Sequence, residues 1–328
     1  MHMAETAGTN DRILIETQDL KKYFKAGGGR KIHALDGINI KIKHGETLGV
    51  VGESGCGKTT LGRTVLRLHE PTSGRIILDG EDITTLRESR LRKYRPKMQI
   101  VFQDPFSSIN PRMTVEDIIV DPMVVNGMYK SSSERYARVE EIMDMVGLAE
   151  RFATCFPHEI SGGLRQRVGI ARALAVSPSF IVCDEPVSSL DVSIQAQIIN
   201  LLMDLQDSLG LAYMFITHDL SVVKHISDKI AVMYLGQIVE LAPSREIFKN
   251  PVHPYTQALL KSIPVPNLKS REMLQDVIQG EVSNPIDPEP VCRFAERCPH
   301  RSAECETEQE LVEISDGHYV ACCKVSGN

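Results

Sequence analysis

The residues with the clearest chemical potential lie in a glycine-rich stretch between positions 52 and 59. The stretch reads GESGCGKT and fits the pattern G-x-x-x-x-G-K-[ST] at every position. Glycines let such a backbone wrap around a phosphate chain with its N–H groups pointing inward. Lys58 is expected to reach the β- and γ-phosphates, and the Thr59 hydroxyl to hold Mg²⁺. The spacing predicts a nucleoside triphosphate site that comprises Gly52, Ser54, Gly55, Cys56, Gly57, Lys58, Thr59 and Thr60.

The segments on either side of this loop fit the same interpretation. Residues 47–51 form an apolar run typical of a buried strand, and residues 60–66 predict a helix whose N-terminus faces the phosphates. The alternative is a chance match, which the frequency of glycine allows in roughly one chain of this length in a hundred. The flanking strand and helix make that alternative much weaker.

Two carboxylates and a histidine follow apolar runs further along the chain. Asp184 and Glu185 end the run at 180–183, and His218 ends the run at 212–217. Such short runs are typical of strands buried on both faces of a parallel sheet, and ligands collect at the carboxyl ends of these strands. We expect Asp184 near Mg²⁺, Glu185 to polarise the attacking water and His218 to contact the γ-phosphate. A structural role is the usual alternative for an isolated histidine or acidic pair.

A further motif has no evident role in a single nucleotide site. Residues 160–167 read ISGGLRQR, and this segment resembles the signature motif of the ABC-type ATPase family. The resemblance extends over roughly residues 12–325. In that family the signature of one subunit caps the ATP held by the other. Ser161, Gly162 and Gly163 are therefore expected to face a γ-phosphate across a head-to-tail dimer.

One position departs from the family's signature. Leu164 stands where the family usually carries glutamine. The backbone N–H donors of the motif are kept, whereas it is open how strongly the motif caps the ATP of the other subunit. The second ATPase subunit that the resemblance implies is either an identical copy or a sister chain, and the departure at Leu164 favours unequal sites.

The resemblance assigns roles to three more positions. Gln103 corresponds to the glutamine that ligates Mg²⁺ and senses the γ-phosphate, and Asp191 closes the segment that matches the D-loop. Phe24 stands where the family places an aromatic residue that stacks on adenine, an interaction worth about 1–3 kcal/mol in other nucleotide binders. Two alternatives stay open here: Phe24 packs in the core, or the neighbouring Tyr23, which points to the other face of a strand, takes its place.

Three stretches narrow the resemblance to one branch of the family. Residues 103–112 and 253–260 resemble the ATPases of dipeptide and oligopeptide importers, and so does a tail with four spaced cysteines. This branch implies two transmembrane permease subunits, an indirectly linked extracellular or periplasmic substrate-binding protein, and a peripheral position on the cytoplasmic face of the cell membrane. The cargo does not touch this subunit, so nickel or oligosaccharide cargo stays open, as does a soluble ABC-type ATPase in translation or repair.

The tail carries the four cysteines at wide spacings, as Cys292-x5-Cys298-x6-Cys305-x16-Cys322. Disulfides are disfavoured, because no secretory signal is recognisable and the cytosol is reducing. Four thiolates suit Zn²⁺ or an iron–sulfur cluster, and the lack of a C-x2-C pair weakens zinc. The resemblance implies a [4Fe–4S] cluster, with zinc and free thiols as alternatives, and the adjacent Cys323 can be mistaken for the fourth ligand.

Charge and hydropathy set two limits on partners. A formal net charge of −6 argues against non-specific nucleic-acid binding, so no nucleic-acid partner is expected. No apolar run approaches the ~20 residues needed to cross a bilayer. A partner must therefore supply the membrane domain.

Together these features predict an α/β chain: a P-loop ABC ATPase with a RecA-like parallel-sheet core, an antiparallel β subdomain, an inserted helical subdomain and a small cysteine-rich C-terminal extension. A helix is expected to start at Ser131, and one short strand and one helix are expected between Gly236 and Ile263. The expected divisions are a disordered start or expression remnant at 1–11, the ABC ATPase domain at 12–263, its helical subdomain at about 104–175, and the extension at 264–328.

Overall fold

The computed structural model describes residues 12–104, 108–262 and 285–325, and the predicted start at 1–11 lies outside them. The chain divides into two compact units. Unit 1 takes the described residues of Met1–Leu14, Ile42–Glu46 and Thr85–Phe215, and unit 2 those of Ile15–Lys41, Thr47–Thr84 and Ile216–Asn328.

Strands and helices alternate along much of the chain. Among the described residues the strands are β1 (Ile13–Lys25), β2 (Lys31–Lys43), β3 (Thr47–Val51), β4 (Ser73–Leu78), β5 (Glu81–Asp82), β6 (Met98–Val101), β7 (Phe180–Asp184), β8 (Ala212–Ile216), β9 (Lys229–Tyr234), β10 (Gln237–Pro243), β11 (Val312–Ser315) and β12 (His318–Val320). The α-helices of the same residues are α1 (Lys58–Val65), α2 (Glu88–Leu91), α3 (Val115–Val125), α4 (Ser132–Met145), α5 (Gly162–Leu174), α6 (Val192–Leu209), α7 (Leu220–Ile226), α8 (Ser244–Lys249) and α9 (Pro254–Lys261). None of these helices combines the length and the hydropathy that a membrane crossing requires.

Unit 2 contains a four-stranded sheet in the order β2-β1-β4-β5. β1 and β4 run antiparallel, with Ile15 opposite Leu78. The buried Thr17 hydroxyl donates to the Ile38 carbonyl oxygen at 2.9 Å and ties β1 to β2. Satisfying this hydroxyl inside the sheet avoids the cost of burying an unpaired polar group.

A second group of strands in unit 2 has the order β11-β12-β10-β9-β3. β3 and β9 run parallel, with Gly49 opposite Ile230, whereas β9 and β10 form an antiparallel pair. The C-terminal extension adds β12 and β11, and β12 pairs with β10 so that Val320 lies opposite Glu240. The extension is therefore continuous with the strands that lead to the phosphate loop.

Unit 1 holds the order β8-β7-β6, in which β6 and β7 run parallel. Between β6 and β7 the chain forms α3, α4 and α5, and α6 follows β7. The predicted helix start at Ser131 is confirmed. Its hydroxyl accepts the N–H of Glu134, and the Glu134 carboxylate accepts the N–H of Ser131, which together form a capping box.

The strands predicted from apolar runs are confirmed. β3, β7 and β8 occupy the expected positions, and every residue in them is buried. A strand that is covered on both faces has no solvent-facing side, which explains why these runs are apolar without alternation. β7 ends at Asp184, β3 ends one residue before Gly52, and β8 ends two residues before His218, all of which the sequence had assigned to the nucleotide.

The prediction of one helix between Gly236 and Ile263 was wrong, because β10 is followed by both α8 and α9. Pro251 and Pro254 lie between and at the start of these helices. Proline lacks an N–H and favours the first position of a helix, so α8 ends before Pro251 and α9 begins at Pro254.

Candidate nucleotide-binding site

The phosphate loop of unit 2 connects β3 to α1 and depends on two glycines. Gly52 has a φ of 154° and Gly57 a φ of 109°, conformations that residues with side chains rarely adopt. A Cβ atom on Gly52 would lie 2.2 Å from the Met233 carbonyl oxygen, and one on Gly57 would lie 2.4 Å from the Ala34 carbonyl oxygen. The glycine pattern therefore reflects the tight packing of the loop as well as its expected phosphate contacts.

Lys58 opens α1, and its ammonium group lies inside the loop. The residue is only 6% exposed, and Nζ donates to the carbonyl oxygens of Gly52 at 2.7 Å and Glu53 at 2.9 Å. The loop holds this positive charge beside the start of a helix, where anionic oxygens are favoured. Burial raises the pKa of the neighbouring Cys56 thiol, so Cys56 is a neutral packing residue.

The other predicted loop residues are more accessible. Ser54 and Gly55 are exposed, and Thr59 and Thr60 are half-buried in the first turn of α1. This accessibility is compatible with ligand contacts, which stay predictions for all four residues.

His218 is an exposed residue in the loop between β8 and α7. The preceding Thr217 donates its N–H to the Val50 carbonyl oxygen at 3.2 Å, which fixes the loop beside the end of β3. The following Asp219 caps α7, because its carboxylate accepts the N–H of Ser221 at 2.8 Å. His218 is thus held between two anchored neighbours, next to the strand that leads into the phosphate loop.

Phe24 and Tyr23 have separate surroundings. The half-buried Phe24 ring meets the His69 ring edge-on, with 5.6 Å between centroids. Tyr23 instead donates its hydroxyl to Asp36 at 2.5 Å and stacks on the His33 ring at 3.9 Å. Phe24 is therefore not a fully buried core residue, and the engagement of Tyr23 favours Phe24 as the adenine contact.

In unit 1 the predicted acidic residues lie at the carboxyl end of β7. Asp184 is the last residue of the strand and is only 4% exposed. Glu185 has a φ of 49°, a left-handed conformation that is uncommon for a residue with a side chain. Its carboxylate accepts a hydrogen bond from Gln103 Nε2 at 3.1 Å. The structure thereby brings together two residues that the sequence assigned to the reaction separately.

The signature segment begins α5. Ser161 is exposed and caps the helix, and its hydroxyl accepts the N–H of Leu164 at 3.4 Å. Gly162 is also exposed. A Cβ atom on Gly163 would lie 2.6 Å from Cγ2 of Ile194 on α6, so this glycine is required by helix packing. The first two residues of the motif are accessible at a helix start, as capping by contact with a second subunit requires.

Asp191 caps the neighbouring helix α6. Its carboxylate accepts the Ser193 hydroxyl at 2.7 Å and the N–H of Ile194 at 3.0 Å. The hydrogen bond from Ser193, followed by that from Ile194, lowers the pKa of Asp191. The local role of Asp191 is therefore helix capping, and its D-loop role across a dimer stays a prediction.

The cysteines that were predicted as one ligand set all lie in the described part of the tail. Cys292 donates its N–H to the Cys305 carbonyl oxygen at 3.0 Å, and Cys305 Sγ lies 3.6 Å from Sγ of Cys323, which was not predicted as a ligand. All eight cysteines are free thiols. Within residues 12–104, 108–262 and 285–325, no three His, Cys, Asp or Glu side chains are placed to hold a metal ion. The [4Fe–4S] cluster and its zinc alternative are therefore not confirmed.

Comparison with known proteins agrees with this geometry. The ABC transporter family matches residues 35–188, and the oligopeptide/dipeptide transporter C-terminal region matches residues 239–305. The oligopeptide transport ATP-binding protein AppF of Bacillus subtilis is 50% identical over 95% of this chain and 98% of its own length. The putative oligopeptide transport ATP-binding protein YkfD of the same organism is 48% identical over 94% of each chain.

A solved structure shares the fold. The ATP-binding cassette MJ0796, in a dimeric post-hydrolysis state bound to ADP and Pi, is similar with a TM-score of 0.65 and 32% identity. The match covers 71% of this chain and 99% of that one. The matches to the sequence relatives cover more of this chain than the match to the solved structure does, and they include the C-terminal extension. This chain belongs to the ABC transporter family of ATP-binding subunits, in the branch that carries the oligopeptide/dipeptide transporter C-terminal region.

Proposed function

We propose that this chain binds and hydrolyses ATP to drive the import of dipeptides or oligopeptides through an ABC membrane transporter. The observation that carries the proposal is the hydrogen bond from Gln103 Nε2 to Glu185 Oε2. It joins the amide expected to sense the γ-phosphate to the carboxylate expected to activate water. The names of the relatives support the cargo class. The alternatives are nickel or oligosaccharide cargo and, with less support, a soluble ABC-type ATPase.

The chain's own residues supply three kinds of contact to ATP and Mg²⁺. The backbone N–H groups at 52–58 and the Lys58 ammonium bind phosphate oxygens. Thr59, Gln103 and Asp184 are each proposed to bind Mg²⁺, and their hydroxyl, amide and carboxylate oxygens are the hard donors that this ion prefers. Phe24 stacks on adenine through its half-buried ring.

Hydrolysis places one proton on Glu185. Glu185 accepts a proton from the attacking water, and the γ-phosphoryl group passes to that water, giving ADP and phosphate. Gln103 donates to the same carboxylate, so it orients Glu185 at the strand end. His218 is proposed to contact the γ-phosphate from its anchored loop.

The active unit is proposed to be a head-to-tail dimer of ATPase subunits that works with two transmembrane permease subunits. The exposed Ser161 and Gly162 support this arrangement, because a partner can reach them. The second ATPase is a sister chain or an identical copy. The assembly lies at the cytoplasmic face of the membrane and receives cargo indirectly from a substrate-binding protein.

A [4Fe–4S] cluster on Cys292, Cys298, Cys305 and Cys322 is proposed for the extension, with zinc as the alternative. Burial, together with negative charge on Cys305, Cys322 and Cys298, raises the pKa of Cys292 to about 11. The four thiols are therefore electrostatic neighbours with the right donor chemistry. Their side chains do not converge on one point in the structure, and no step of the proposed hydrolysis depends on a cluster.

The cluster has its own test. Iron, sulfide and zinc are measured on anaerobically purified wild type and Cys292→Ser, together with visible absorbance. Iron and sulfide in the wild type, with absorbance lost in the variant, are expected. One zinc per chain in a colourless wild type would establish the alternative.

The transport proposal is tested by affinity purification of the tagged chain from detergent-solubilised membranes of its host, followed by mass spectrometry. Recovery of two polytopic membrane proteins and a second ATPase is expected, and Ser161→Arg is expected to lose the second ATPase selectively, because a bulky charge then fills the capping surface. Recovery of ribosomal or repair proteins, with no membrane protein, would establish the soluble alternative.

A further inference from the structure

Glu53, a residue that the phosphate-loop pattern leaves unspecified, is held from two directions in unit 2. Its backbone N–H donates to the Tyr255 hydroxyl at 2.8 Å. Its carboxylate accepts two hydrogen bonds from Arg297, Nη1 to Oε2 at 2.8 Å and Nη2 to Oε1 at 3.1 Å. A two-pronged arginine–carboxylate pair fixes orientation as well as supplying charge.

The Arg297 side chain reaches the loop from the C-terminal extension. It is only 8% exposed, compared with 22% for the Glu53 side chain, and it also donates to the Tyr234 hydroxyl at 3.3 Å. The hydrogen bond to Glu53 is the main cause of a raised pKa for Arg297. This pair is thus more enclosed than an ordinary surface ion pair and is weakened less by salt.

An aromatic contact fixes the backbone from which Arg297 extends. Phe294 is 2% exposed and packs against Tyr234 and Tyr255, with ring centroids 5.3 and 5.4 Å apart. The same two tyrosines contribute the hydroxyls that hold Arg297 and the N–H of Glu53. The extension, α9 and β9 therefore support the loop as one packed group.

Arg293 provides a second connection between the extension and the loop's surroundings. It donates to Asp36 and to the Leu235 carbonyl oxygen. Asp36 lies on β2 two residues after Ala34, whose carbonyl oxygen is the close neighbour of Gly57. The extension thus contacts the loop directly at Glu53 and also holds the strand against which the loop's last glycine packs.

The Arg297–Glu53 pair affects nucleotide binding through the position and the charge of Glu53. The Glu53 carbonyl oxygen accepts from Lys58 Nζ, so the conformation of Glu53 helps to place the ammonium group. An unpaired carboxylate in this loop would also repel the phosphates of ATP. Arg297 acts on both effects, because it neutralises the carboxylate and fixes its side chain.

We propose that Arg297 is a positioning residue for nucleotide binding, and that the extension thereby forms a working part of the ATP site through the pair Arg297–Glu53. The inference rests on the proposed function of the phosphate loop as an ATP site. It predicts that loss of the Arg297 charge weakens MgATP binding because Glu53 is left unpaired.

The test measures the MgATP dissociation constant of the full-length chain by isothermal titration calorimetry. Arg297→Met removes the charge at similar length, and we expect it to raise the dissociation constant about five- to twentyfold. Arg297→Lys keeps the charge but loses the two-pronged hydrogen bond, so its dissociation constant is expected to lie between those of wild type and Arg297→Met. The matched control is Arg301→Met, since Arg301 pairs with Glu306 in the same extension but is 51% exposed.

The dependence on Glu53 is tested in a second background. If Arg297 acts through Glu53, then Glu53→Gln and the double variant Glu53→Gln/Arg297→Met differ by less than about twofold in MgATP affinity. The double variant contains no unpaired charge at this site and serves even if Arg297→Met alone fails to fold. A loss of fivefold or more on adding Arg297→Met to Glu53→Gln would overturn the inference.

Hydrogen exchange separates positioning from general destabilisation. Amides at 52–58 are expected to exchange faster in Arg297→Met than in wild type, whereas those of β7 and β8 keep their protection. Unchanged affinity and unchanged exchange at 52–58 would also overturn the inference. Failure of the proposed function has a different result: the wild type would not bind MgATP, or Lys58→Ala would bind it equally well.

Discussion

Gln103 and Glu185 lie at matching positions beyond the ends of two parallel strands. Val101 of β6 lies opposite Cys183 of β7, and each of the two residues comes two positions after its strand's member of this pair. The two side chains leave the same edge of the sheet and meet with 3.1 Å between Nε2 and Oε2. Parallel strands place their carboxyl ends together, so residues 82 positions apart in the chain share one site.

The first prediction concerns the carboxylate of this pair. Glu185→Gln is expected to bind MgATP normally and to lose hydrolysis by roughly 10²–10⁴, because an amide cannot accept the proton of the attacking water. Phosphate release and nucleotide affinity are measured on the same preparation. Glu140→Gln, a change on the exposed surface of α4, is the control and should leave both values unchanged. Full turnover in Glu185→Gln would remove Glu185 as the base.

The second prediction concerns the buried ammonium group. Lys58→Ala is expected to abolish tight MgATP binding, since the loop loses the charge that two of its own carbonyl oxygens hold in place. Lys130→Ala, at an exposed position before α4, is the control. Equal affinity in Lys58→Ala and wild type, measured by calorimetry, would contradict the phosphate-loop assignment.

The third prediction compares two glycines of the same loop. Both Gly52 and Gly55 have positive φ, but only a Cβ atom on Gly52 meets a backbone oxygen, whereas one on Gly55 has nothing within 4 Å. Gly55→Ala should cost about 1–2 kcal/mol of unfolding free energy from backbone strain. Gly52→Ala should lose a further ~1–3 kcal/mol of unfolding free energy, because its Cβ atom also overpacks against the Met233 carbonyl oxygen. Denaturant unfolding checks this order, and equal losses would show that the Met233 contact is unimportant.

The fourth prediction concerns pH. Burial lowers the pKa of His253 to about 4 from an ordinary value of 6.5. The unfolded chain therefore takes up a proton between these values while the folded chain does not. The free energy of unfolding should fall as the pH drops from 6.5 to 4, by about 3 kcal/mol in total from this residue.

The control variant for this prediction is His253→Asn, which keeps the cap of α9 but removes the imidazole. His253 Nδ1 accepts the N–H of Tyr255 at 3.1 Å at the start of α9, and asparagine can also accept this hydrogen bond. His253→Asn should therefore lose less stability than wild type between pH 6.5 and 4, as followed by denaturant unfolding at several pH values. Parallel pH curves for the two proteins would show that His253 does not carry the effect.

The success of the local predictions has a physical reason. β3, β7 and β8 were predicted because buried parallel strands require unbroken apolar runs, and Ser131 was predicted because a capping box needs two residues at fixed separation. The phosphate loop was predicted because its glycines must occupy set positions. These features depend on residues close together in the chain, so their spacing alone identifies them.

Other features depend on which distant segments meet. The sequence predicted four cysteines as one ligand set, which is not confirmed, and it did not predict that the Cys305 sulfur lies 3.6 Å from that of Cys323. Adjacent residues point in different directions, and the direction of each side chain is set by the fold of the tail. The break between α8 and α9 was also missed, although Pro251 and Pro254 mark it in the sequence.

The sequence by itself determined the family, the nucleotide loop and the buried strands, because these depend on short patterns with fixed spacing. Only the tertiary structure decided that Arg297 pairs with Glu53 across 244 positions and that the extension supports the phosphate loop. Many arginines and carboxylates in the chain could pair by charge alone. The packing of Phe294 between two tyrosines selects one pair, because it fixes where the Arg297 side chain can reach.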